Sequence, residues 1–402
     1  MKASRSAALL CLVGWVGAAA ALAAAAPPAP PAPPVPALPG YAEELASLEE
    51  QLAAAAPATP TLEALARHAY LVYRKASLTA DYRDFRAAEQ AIDAALAVAG
   101  PAEDLYFLKA SFDFKLHRLE RARASLSKTP DLEGEPRLLA LRADLAYQEG
   151  RYLEARAGYQ AALRQKRSWD NLARLAFYLS RTGDPRTADA LYREAQDDLS
   201  AKEMRSWAWI ELQRGLLELD RGRPARALAH YRRADRAYPG WWQVEEHLAE
   251  ALARLGRRQE AIALYRQVIA QRPDPEFLGA LAALLEPEDP GAAEQLDRAA
   301  RARFAEQCAL YPEAASGHFL EQRLARGAAD AELLDLARRN FALRPNGEAR
   351  LLLARALLAA GEAAAAEAEI ATILASPFRV PALKEVRREV HKALRGRSRP
   401  PG

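Results

Sequence analysis

Four glycines, Gly150, Gly183, Gly222 and Gly256, each head the same short pattern. Five residues after each stands an alanine (Ala155, Ala188, Ala227, Ala261), and nine after each a tyrosine (Tyr159, Tyr192, Tyr231, Tyr265). Seven before each is another small residue (Ala143, Ala176, Gly215, Ala249), and twelve after come Ala162, Ala195, Ala234 and Val268. The origins are 33, 39 and 34 residues apart. A pattern held in register over such intervals marks stacked supersecondary units, which places strong limits on the fold.

Each position has a physical reason. The glycine ends one helix in the left-handed conformation, where other residues suffer a Cβ clash. The small residues before and after it lie where two antiparallel helices cross closely, and the tyrosine fills the wider gap beside that crossing. The unit is therefore a helix-turn-helix hairpin. The 39-residue interval is explained by Ser200 and Glu203, which have the spacing of a capping box and predict an early helix start near Ala201, running to Asp220. Alanine and leucine dominate a composition only 7% aromatic, which also favours close-packed helices over sheet.

This small-Gly-Ala-aromatic-Ala pattern resembles the tetratricopeptide repeat superfamily, whose unit is about 34 residues. Pro239 and Pro273, seventeen residues after their glycines, match the proline that closes each repeat, whereas the family's first-helix tryptophan is not matched. The resemblance implies an all-α, right-handed superhelical solenoid. It covers 136–272 most clearly. Weaker copies flank it: Ala76, Ala88, Ile92 and Ala95 make one unit, and Ala110, Ala122 and Leu126 make another, with His117 in the glycine slot. On the other side lie a degenerate unit from Glu276 to Ala305, a second helix from Leu333 to Pro345, and Ala354, Gly361, Ala366, Ile370 and Ile373. A helix from about Ala382 to Leu394 would cap the last hairpin. Eight or nine hairpins are expected over 41–400.

In tetratricopeptide arrays the first helix of each hairpin lines a concave groove. The resemblance then implies groove candidates at Arg137, Asp144, Tyr147 and Gln148, at Phe177 and Arg181, at Trp209, and at Gln243, Glu246, Glu250 and Arg254. Tyr147, Phe177 and Trp209 fall one per repeat, as anchors for a partner or as packing between neighbouring first helices. Slots where some family members carry basic residues for a terminal carboxylate hold Ala140, Asp144, Ala173, Phe177, Glu246 and Glu250 here, so that mode of capture is not expected. Trp207, Trp209, Tyr238, Trp241 and Trp242 form the densest aromatic cluster.

The chemistry-bearing motifs point away from catalysis. The chain has no phosphate-binding glycine loop, no Gly-x-Ser-x-Gly elbow and no two histidines at metal-binding i,i+4 spacing. His247 and Glu250 share a helix face, and one such pair is a thin basis for an enzyme. No catalytic residue, cofactor or metal is therefore expected. A net charge of +3 from 56 basic and 53 acidic residues is not a field for nucleic acid. The expected partner is a protein or peptide held by a non-enzymatic scaffold.

Lys2 and Arg5 precede an uncharged run from Ser6 to Ala26, the order of a secretory signal. Cleavage after Ala23 or Ala25 suits the small-x-small rule and predicts a periplasmic or secreted protein. The run, at 21 residues, is also long enough to span a bilayer, so an uncleaved membrane anchor is the alternative over 1–26. The proline-rich stretch at 27–40 reads as an extended spacer. Removal of the signal leaves Cys308 as the sole cysteine, so packing alone must hold the fold.

Overall fold

The structure, a computed structural model, describes residues 40–55, 61–99, 103–129, 134–200 and 203–397. The apolar run at 6–26 and most of the proline-rich stretch lie outside the described residues. All regular structure within them is helical. A lone helix α1 (Tyr41–Ala54) is followed by hairpins α2–α3 (Leu62–Thr79, Tyr82–Ala99), α4–α5 (Glu103–Lys115, Leu119–Leu126) and α6–α7 (Pro136–Gln148, Tyr152–Gln165). Next come α8–α9 (Trp169–Arg181, Pro185–Asp197), α10–α11 (Met204–Asp220, Pro224–Ala237) and α12–α13 (Trp242–Arg254, Arg258–Gln271). The last three are α14–α15 (Pro275–Leu285, Pro290–Leu310), α16–α17 ( Pro-initiated Pro312–Ala325, Ala331–Leu343) and α18–α19 (Gly347–Ala359, Ala363–Ala375), closed by α20 (Pro381–Arg397). The described residues thus hold nine hairpins in an all-α superhelical solenoid.

Local signals start and stop these helices. Asp184, Asp274, Asp289, Asp330 and Asn346 each accept a backbone N–H of the first turn, and seven helices carry proline at their first position, where the missing N–H is not needed. The helix expected from Ala201 instead begins at Met204. Glu203 bonds back to the Ser200 N–H at 3.1 Å and hydroxyl at 2.8 Å, so it closes a turn ahead of the helix rather than standing inside it.

The repeat residues do what their spacing predicts. Ala155, Ala188, Ala227 and Ala261 are fully buried, and Tyr159, Tyr192, Tyr231 and Tyr265 nearly so. A Cβ on Gly215 would sit 2.1 Å from the Tyr231 ring, so the small residue is what lets α10 and α11 cross there. After the first helix of each of the four clearest repeats the chain turns in the same six-to-one backbone bond, as in Arg151 N to Ala146 O at 2.8 Å and Arg223 N to Glu218 O at 2.8 Å. The turn of the second hairpin makes the same bond, Arg118 N to Asp113 O at 2.8 Å, with His117 in the left-handed slot at φ 57°.

The superhelix closes on itself. The turn of each of the first four hairpins meets the loop that opens the unit six places later. In the first, Ala80 O accepts from Arg272 Nη2 at 3.1 Å, just before α14, and Leu78 O from Trp242 Nε1 at 3.2 Å. In the second, Arg118 lies 4.7 Å over the ring of Tyr311, just before α16. In the third, a Cβ on Gly150 would come 2.6 Å from Pro345 O, before α18. In the fourth, Arg181 O accepts from Arg379 N at 2.7 Å, before α20. The fifth and sixth turns, at Gly222 and Gly256, have nothing within 4 Å of such a Cβ. One superhelical turn therefore lies on the next along a seam that ends after the fourth hairpin.

Candidate functional site

The seam decides where the groove candidates stand. Tyr147 is buried and donates to Glu348 Oε1 at 2.7 Å, and Gln148 accepts from Asn346 Nδ2 at 2.8 Å; both partners lie about two hundred residues away. Asp144 is buried between Tyr159 Oη at 2.9 Å and Arg174 Nε at 2.9 Å, and burial pushes its carboxyl up despite Arg174. Phe177 packs edge-on to Tyr147, with ring centroids 5.4 Å apart. Trp209 is buried in the core shared by α8, α10 and α12. Of the two roles the sequence left open for Tyr147, Phe177 and Trp209, their surroundings are those of packing between helices and across the seam. The aromatic cluster divides likewise: Trp209, Tyr238 and Trp241 are core, while Trp207 and Trp242 are half-buried.

Where the seam stops, concave positions reach solvent. Arg181 sits at the end of α8, 3.5 Å from Asp220 at the end of α10, and Asp220 is 44% exposed. On α12, Arg254 donates to Glu250 Oε1 at 2.6 Å. These four residues bring opposite charges together on three successive first helices; Asp220 and Arg254 reach solvent, whereas the Arg181 and Glu250 side chains are only 12% and 15% exposed. Arg137, also exposed, stands apart on α6, paired with Asp104 at 3.1 Å and lying over the Phe107 ring.

The remaining candidates, Gln243 and Glu246, line a partly open cavity of about 130 Å³ where the first hairpins meet α10, α12, α14, α15 and α16. Its wall is mostly apolar, from Phe85, Leu116, Leu212, Trp242, Phe277 and Phe304. Its charges come in pairs. His247 pairs with Glu246, His318 with Glu276, and Arg272 with Asp274 at 2.8 Å. Burial alone would keep His247 neutral, but the Glu246 carboxylate against it prevails and lifts its pKa to about 9. The cue in the sequence was a histidine, His117, standing where the repeat wants glycine.

His247 and Glu250, which share a helix face, do not pair: His247 turns to Glu246, and Glu250 is taken by Arg254. Among the described residues no group of three His, Cys, Asp or Glu is arranged to hold a metal ion, and no helix is long and apolar enough to cross a membrane.

Residues 218–284 match the tetratricopeptide repeat family model. No curated protein matches the chain. Among solved structures it is similar to YrrB, a tetratricopeptide repeat protein described as having an unusual peptide-binding site, at 19% identity over 46% of this chain and 93% of that one, with a TM-score of 0.30. It is also similar to the human IFIT1 dimer, at 14% identity over 89% and 95% with a TM-score of 0.43, and to the Cut9 and Hcn1 assembly, at 14% over 89% and 77% with a TM-score of 0.41. The fold assignment rests on the chain's own hairpins. Residues 218–284 are therefore tetratricopeptide repeat by sequence pattern and by fold, set within an all-α array of like hairpins.

Proposed function

We propose that the protein is an exported scaffold that binds a protein partner and helps an envelope complex assemble. The observation that carries this reading is the end of the seam. Among the described residues no second superhelical turn lies against the Gly222 and Gly256 turns of hairpins α10–α11 and α12–α13, which leaves Asp220 and Arg254 exposed on the concave side, with Glu250 half-buried beside Arg254. A rigid, uncovered row of first-helix side chains is the kind of surface on which a helical array holds a peptide or a partner helix. Export is supported by Lys2, Arg5 and the apolar run that follows.

The test is capture from a matched extract by the protein without residues 1–26. A partner retained by this bait and lost on Asp220→Arg with Arg254→Glu, in a double variant that circular dichroism shows to be folded as the parent is, supports the assignment, because those two side chains reach solvent. Undiminished retention by the double variant would remove this row as the docking surface. Mass spectrometry of the mature N-terminus distinguishes a freed protein from one held in the membrane by an uncleaved Ser6–Ala26 helix.

A further inference from the structure

The cavity beneath the first rung of the seam has three properties that belong together. The first is backbone strain. Among the described residues two non-glycines adopt positive φ, Ala80 at 49° and His117 at 57°, and both line this cavity. The equivalent turns at Gly150, Gly183, Gly222, Gly256 and Gly361 use glycine, which takes this conformation without a Cβ clash. The array thus keeps side chains in a strained slot at the two turns where they face the cavity. Strain retained in that way points to a role for the side chain itself.

The second property is unmet hydrogen bonding. His117, 5% exposed, has no partner for Nδ1, and Gln243, 6% exposed, has none for Oε1. Both line the same space from opposite superhelical turns. Burial, with the nearby positive charges of Arg344, His318 and Lys115, holds the His117 imidazole neutral. Buried polar atoms are seldom left without a partner. The third property is size and character. About 130 Å³ behind a mostly apolar wall is close to the cavity that admits a benzene ring in a protein interior. With Arg272, His247 and His318 each matched by a carboxylate, and Lys115 lying over the Phe85 ring, the wall offers little to an ion.

We infer that this cavity is a binding site for a neutral aromatic ring bearing a hydroxyl, a phenol, whose ring lies among Trp242, Phe277 and Leu212 and whose hydroxyl is held by Gln243 and His117. A phenol donates one hydrogen bond and accepts another; Gln243 Oε1 accepts, and the neutral imidazole serves in either sense. The chemistry is shared by free phenolic compounds and by tyrosine side chains. It does not depend on the scaffold reading, because the exposed charges at Asp220 and Arg254 lie outside the cavity.

The experiment uses the protein without residues 1–26 and follows 4-fluorophenol and fluorobenzene by fluorine NMR. Saturable binding of 4-fluorophenol, about tenfold or more tighter than fluorobenzene, is expected. His117→Gly restores the repeat's own turn residue and so keeps the fold while removing the imidazole. Gln243→Met keeps the side-chain length and removes the acceptor. Each should weaken 4-fluorophenol about tenfold and leave fluorobenzene unchanged. Competition by N-acetyl-tyrosinamide with the same sensitivity to both variants identifies a tyrosine side chain as a guest; 4-fluorophenol binding without such competition identifies a free phenol. Absence of saturable binding, equal affinity for the two probes, or indifference to both variants overturns the proposal and leaves the cavity to water.

Discussion

Gly150 and Gly256 occupy the same place in the repeat, at φ 74° and 76°, and differ in what lies beyond them. Alanine at either position must adopt a left-handed backbone, which costs about 1–2 kcal/mol. At Gly256 that is the whole effect, since nothing stands within 4 Å of the new Cβ. At Gly150 the Cβ would lie 2.6 Å from Pro345 O and 3.6 Å from its carbonyl carbon. Those are backbone atoms that cannot rotate aside, so the seam must part locally, at a further cost of about 1–3 kcal/mol typical of overpacking. Gly150→Ala should therefore lose about 2–5 kcal/mol against about 1–2 for Gly256→Ala. Urea unfolding followed by circular dichroism measures both, and Gly222→Ala serves as a second control with an open turn. Equal losses for Gly150→Ala and Gly256→Ala would show that no second superhelical turn rests on the third hairpin.

Phe177→Ala and Trp209→Ala should each destabilise the fold by about 3–5 kcal/mol, as buried aromatics do, which thermal unfolding would register and an exposed anchor would not. Glu211 receives Gln196, Arg214, His230 and Arg233 within 2.9 Å; burial pushes its carboxyl up, but the hydrogen bonds and positive charges bring it down from 4.5 to about 2. Its contribution, about 2–3 kcal/mol, is complete above pH 4.5 and lost as the pH falls towards 2, so the melting temperature of Glu211→Gln should converge on that of the parent in acid. His247 works in the opposite direction. Its pKa, raised from 6.5 to about 9, makes its stabilisation full below pH 6.5 and absent once the pH passes 9, and His247→Phe should flatten that alkaline decline.

The hairpin ladder was legible because its determinants are local. Ala155 and Tyr159 sit within one helix of Gly150, and spacing alone identifies residues that must meet. His117 was placed correctly in a glycine slot for the same reason, although its strain and its cavity only emerge in three dimensions. The seam was not legible. Tyr147 meets Glu348 across 201 residues and Asn346 meets Gln148 across 198, and no periodicity in one sequence pairs residues so far apart. That is why Tyr147 and Phe177 read equally well as groove anchors or as packing, and why Gln148 read as a groove residue: the groove they face is filled by the chain's own last hairpin. Arg254, beyond the seam, is exposed. The Ser200 and Glu203 signal was also read correctly as a local bond, but the bond closes a turn before Met204 rather than the first turn of a helix.

Closure of the superhelix is tested most directly by amide hydrogen exchange at three backbone N–H groups. Gly347 is the first residue of α18 and Tyr41 the first of α1, so neither has an acceptor within its own helix. Gly347 N donates to Tyr152 Oη at 2.5 Å, Tyr41 N to Pro239 O at 3.0 Å and Arg379 N to Arg181 O at 2.7 Å, each across the seam. Protection of all three, measured by mass spectrometry with residue-resolving fragmentation, is the expected result, with Gly347 and Arg379 rising and falling together as urea is added. Exchange of these amides at the rate of an unstructured chain, while the interior of α18 stays protected, would show an open solenoid and contradict the account.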